Sequence, residues 1–82
     1  MANMKTAAKI LHKKGWDVGE VLRAREEMRN DLYFEVTAIG REKVLGCRIL
    51  EGGKLGKEID LPLTDPFIEW KEVKRAGAGF TE

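Results

Sequence analysis

Cys47 and His12 are the pair whose chemistry could give this 82-residue chain a nucleophile, a thiolate activated by an imidazole. The chain has no serine, so a serine nucleophile is excluded, and with a single histidine most acid–base arrangements go too. Cys47 falls at an inward alternation position with Leu45 and Ile49, where a free cysteine behaves as an inert small hydrophobe. One cysteine and one histidine are too few for a zinc or iron site. Gly52-Gly53-Lys54-Leu55-Gly56-Lys57 has the glycines and lysines of a phosphate loop. Its spacing fails, because three residues rather than four lie between Gly52 and Gly56, and Glu58 stands where Ser or Thr is needed. Glu26 and Glu27 alternate with arginines and read as a solvated charge patch. The expectation is a protein without catalysis, metal or cofactor.

The remaining candidates are contacts rather than chemistry. On a helical projection Lys5, Lys9, His12 and Lys13 share one face, able to meet nucleic-acid phosphates or an acidic protein surface. Arg23, Arg25 and Arg29, with Arg41 and Lys43 on a neighbouring turn, extend that patch if the fold brings them together. Fifteen basic residues against fourteen acidic ones make the whole chain no electrostatic magnet for nucleic acid. The plain alternative is a solubilising outer face. Of the aromatics Trp16, Tyr33, Phe34, Phe67 and Trp70, most sit at inward positions, and Tyr33 is the one expected to be exposed.

Those residues need elements to hold them. Asn3 can cap a helix in which Met4, Ala7, Ala8 and Leu11 recur on one face, with Gly15 as its stop, so a helix is predicted over Met4 to Lys14. Trp16 to Leu22 suits a short strand with a turn or bulge. Arg23 to Asp31 has too little apolar content for a buried face and is expected to be a long exposed loop, with at most one helical turn. Leu32 to Ile39 alternates as a half-buried strand, and Val44 to Leu50 follows after a polar turn. Gly52-Gly53 marks a hairpin. Ile59, Leu61 and Leu63 alternate in a strand that Pro62 confines to an edge or a bulge. Phe67 to Val73 supplies a last strand after the Thr64-Asp65-Pro66 turn.

At this length one domain is expected, with a basic helix over 1–15, a barrel over 16–74 and a flexible tail over 75–82. A single cysteine excludes a disulfide framework and suits a reducing, cytoplasmic setting. No run approaches the ~20 apolar residues of a membrane span. So small a core makes either a monomer or a small homo-oligomer plausible. The fold expected is mainly β (α+β): a small five-stranded SH3-like barrel preceded by one amphipathic helix, with an OB-like barrel as the alternative.

Trp16-x-Val18-Gly19-x-Val21-Leu22, then Val36-Thr37-Ala38-Ile39-Gly40-x-x-Lys43-Val44-Leu45, then Trp70-x-x-Val73, resembles small phage- and prophage-encoded proteins that build SH3-like barrels. The resemblance runs from Gly15 to Val73. It implies a fold and a genetic setting, and it brings no catalytic or binding residues. With the missing chemistry, it points to an adaptor or inhibitor that binds a host or phage protein. A nucleic-acid-binding barrel using the basic helix, and a barrel mouth sequestering a small phosphorylated ligand, are the alternatives.

Overall fold

The computed structural model describes residues 6–76 and 79–81, with side chains from 6 to 73. Helix α1 (Ala7–Lys14) begins at Thr6, whose hydroxyl accepts the Lys9 N–H at 3.1 Å. The expected cap, Asn3, and Met4 lie outside the described residues. Gly15 ends the helix in the left-handed region (φ 75°), as expected of its missing Cβ. Its N–H reaches the His12 carbonyl, and the Trp16 N–H reaches that of Leu11. The apolar stripe docks on the protein's own sheet: Ala8 and Leu11 are buried in the core, and the Ala8 N–H bonds to the Glu42 carbonyl in the turn over 40–43.

The strands are β1 (Val21–Glu26), β2 (Leu32–Ile39), β3 (Val44–Ile49), β4 (Leu55–Asp60) and β5 (Ile68–Ala76), with a three-residue β6 (Gly79–Thr81). All neighbours pair antiparallel in the order β4-β3-β2-β1-β5-β6. With the helix across one face, this is a small, mostly β, barrel-like α+β fold. Leu22, Ala24, Phe34, Val36, Val44, Leu61 and Leu63 fill its inner side under the helix. Cross-strand partners share a face, so the register puts Val73, Val21, Glu35 and Cys47 in one row on the other side of the sheet.

Several expectations are corrected. Trp16 to Glu20 is the connection, not a strand; β1 starts at Val21 and runs through Arg23 and Arg25 into the segment expected to be a loop. The loop reading failed because β1 lies between β2 and β5, so Arg23 is only 6% exposed on a strand whose four leading residues are all buried. Leu61 and Leu63 are buried beyond the end of β4, so Pro62 follows the strand rather than interrupting it. As expected, β4 is an edge strand, and a register irregularity and exposed Lys57, Glu58 and Asp60 guard it against further pairing. In the segment expected as a tail, the backbone at Lys74, Arg75 and Ala76 pairs with β6, while residues 77, 78 and 82 lie outside the described residues.

Gly46 is the tightest point of the sheet. A Cβ there would lie 2.7 Å from Leu61 Cδ1 and 2.8 Å from the Glu35 carbonyl oxygen. Because the second neighbour is backbone of the adjacent strand, a rotamer change cannot relieve the clash. Gly46→Ala is therefore expected to destabilise by about 1–3 kcal/mol, read in a denaturant titration against the parent.

Candidate functional site

The β1–β2 connection is built by a charge cluster. Arg25 grips Asp31 with both arms, Nε to Oδ1 and Nη2 to Oδ2, each at 3.0 Å. Buried Arg23 approaches the same carboxylate at 3.8 Å. Paired Arg–carboxylate forks fix geometry as well as charge, so Asp31 pins the return of the chain into β2. Within the turn, the Arg29 N–H donates to the Glu26 carbonyl and its guanidinium pairs with the Glu26 carboxylate at 3.3 Å. This frame leaves Met28 at the tip, 98% exposed and with a φ of 63° that L residues rarely adopt.

Phe67 stands across from it. The Asp65 carboxylate accepts the Phe67 N–H at 2.9 Å in a side-chain-capped turn just before β5. This turn takes Phe67 out of the strand alternation, which is why the inward position expected for it is wrong: the ring is 82% exposed. Met28 and Phe67 line one open depression of about 490 Å³ with Arg25, Glu27, Pro66 and Glu69. A narrower cleft of about 220 Å³ shares Glu26, Arg29 and Ile68 with it and is walled by Ala24, Leu32, Phe34, Ile59, Pro62 and Trp70. The Trp70 ring packs against Phe34 at 5.8 Å and a 48° tilt. Its Nε1–H is buried with no acceptor among the described residues, a condition that costs about 1–3 kcal/mol.

The hydrogen bonds from Arg25 hold the Asp31 carboxyl below the usual carboxylate range; desolvation opposes this, and the charges of Arg25 and Arg23 add to it. A depressed folded-state value gives stability that is present above the unfolded value of ~3.9 and is lost as pH falls through the folded one. Asp31→Asn is thus expected to melt below the parent at pH 7, with the gap narrowing below pH ~4. Thermal melts across that range check it.

Among the described residues the fold does not bring the lysine face of α1 and the three arginines together. Lys9 and Lys13 are exposed on α1, and Lys5 lies outside the described residues. The Ala8–Glu42 hydrogen bond brings the start of α1 to the turn that carries Arg41 and Lys43, but Lys43 pairs with Asp60 at 3.5 Å. Arg23, Arg25 and Arg29 lie at the far end of β2. Leu32 pairs with Ala24 there while Ile39 pairs with Val44, seven residues or ~23 Å away. All three arginines are engaged by carboxylates. Tyr33, the ring expected to be exposed, is half-buried beside Arg23. Cys47 is free and buried on the face of the sheet opposite α1 and His12, so the two cannot form a nucleophile pair. Among the described residues no group of three or more His, Cys, Asp or Glu could hold a metal, and no helix is long and apolar enough to cross a membrane.

Sequence reasoning missed the Met28–Phe67 end. The usable signal was Asp65-Pro66 before Phe67, a turn dipeptide that releases the next residue from strand alternation. No curated protein and no solved structure matches the chain. A family model described as "Domain of unknown function (DUF7241)" matches residues 5–75. That span takes in α1 and nearly all of the sheet, and the chain belongs to this family.

Proposed function

We propose that this chain is a non-enzymatic binding protein, an adaptor or inhibitor, that engages another protein through the Met28–Phe67 end. The exposure of these two side chains on adjoining turns carries the proposal. The other exposed large apolar residues are 40–54% exposed, whereas Met28 and Phe67 stand almost fully in water at 98% and 82%. Clustered exposed apolar side chains rimmed by charge are typical of protein contact sites. The turn that presents Met28 is already fixed by Arg25 and Asp31, so little ordering entropy is lost on binding. The strand order β5-β1-β2-β3-β4 supports the SH3-like reading, and the resemblance to phage proteins makes a host or phage component the expected partner.

Photo-cross-linking amino acids at positions 28, 67 and 13 test the proposal in lysate. Saturable cross-linking of one protein from 28 and 67, and not from 13, is the expected outcome. Cross-links from position 13 alone, or to nucleic acid, would favour the basic helix and remove this reading.

A further inference from the structure

We propose that the cleft beside the Met28 and Phe67 tips receives an extended segment of the partner protein carrying one large apolar side chain next to a lysine or arginine. This rests on the preceding reading of that end and names what it recognises. At about 220 Å³ the cleft is smaller than the ~300–1,000 Å³ of small-molecule sites, and its walls are the apolar faces of Ala24, Leu32, Phe34, Ile59, Ile68 and Trp70. Space and lining suit one inserted side chain.

Charge selects the neighbour of that side chain. Among the charged residues lining the cleft and the adjoining depression, Arg25 is held by Asp31 and Arg29 by Glu26. Glu27 and Glu69 remain, both exposed and neither with a hydrogen bond or ion pair among the described residues. Glu69 has Arg25 as its cross-strand neighbour, but the two hollows together are lined by Glu26, Glu27, Asp31 and Glu69 against Arg25 and Arg29, an acidic excess that attracts a cation beside the apolar anchor and repels an acidic segment. Trp70 lines the cleft, and its Nε1–H is buried without an acceptor among the described residues. An extended segment offers backbone carbonyls, while a helix keeps its own engaged.

The test uses a random peptide library displayed and selected on the full chain, followed by titration of an enriched synthetic peptide into isotope-labelled protein. The expected result is enrichment of an apolar residue beside Lys or Arg. Peptide binding should move the Trp70 indole N–H resonance downfield, assigned with Trp16→Phe as reference, and weaken at least tenfold in Glu27→Lys, Glu69→Lys. Both glutamates are exposed, and Glu27→Gln, Glu69→Gln, which sets no new cation opposite Arg25, is measured beside it and should weaken binding in the same direction; the indole measurement needs no site variant at all. Enriched peptides without a basic residue, an unmoved Trp70 resonance, or no enrichment overturns the inference. Cross-linking from 28 and 67 alongside any of these leaves the protein-binding reading standing, whereas its absence removes both.

Discussion

Phe67→Ser is expected to lower affinity for the protein cross-linked at this end by about a hundredfold while leaving the melting temperature within a few degrees of the parent. A hundredfold corresponds to roughly 2.7 kcal/mol, within the range of a binding hot spot centred on an aromatic anchor. The fold does not depend on the ring, which is 82% exposed and lies in a turn held by its own backbone N–H and Asp65. Serine keeps that N–H. Removing an exposed aromatic costs the folded chain little, because burial in the free protein contributes almost nothing to hold it. Isothermal calorimetry on parent and variant gives the ratio, and an unchanged affinity removes Phe67 from the site.

Leu22→Ala carries the largest expected cost in stability. Leu22 is completely buried on β1, between β2 and β5, in the cluster with Phe34, Val36 and Leu11. Strands on both sides limit collapse around the lost methyls, placing the cost at about 2–5 kcal/mol. A domain of this size has on the order of 4–12 kcal/mol in total. The melting temperature should therefore fall on the order of 10–30 °C, as differential scanning calorimetry would show. A fall of only a few degrees would mean that Leu22 is not at the centre of the core.

The helix, the alternation of β2 and the edge position of β4 were legible because each is written locally. Leu11 recurs on the stripe of Ala7 and Ala8, Phe34 and Val36 alternate with Glu35 and Thr37, and Gly52 and Gly53 adopt the positive φ that a tight link needs. β1 was hidden because its outward residues are Arg23 and Arg25, whose cover comes from the tertiary fold and from Asp31, not from the neighbouring sequence. Its inward residues, Leu22, Ala24 and Glu26, give only a weak apolar alternation. The basic patch was drawn from residue type alone, and type does not reveal that β2 holds its two halves apart. The candidate site depends on two residues that break the patterns used to find structure: Met28 at a left-handed backbone position and Phe67 in a turn beside a strand.

Affinity of Met28→Gly for the cross-linked partner tests the protein-binding end most directly. Glycine suits a φ of 63° better than methionine, so the backbone is kept while only the side chain is removed. An affinity at least tenfold below the parent, in a chain that melts no lower, is the predicted result. Parental affinity in Met28→Gly would contradict the assignment of this turn as the partner-binding surface.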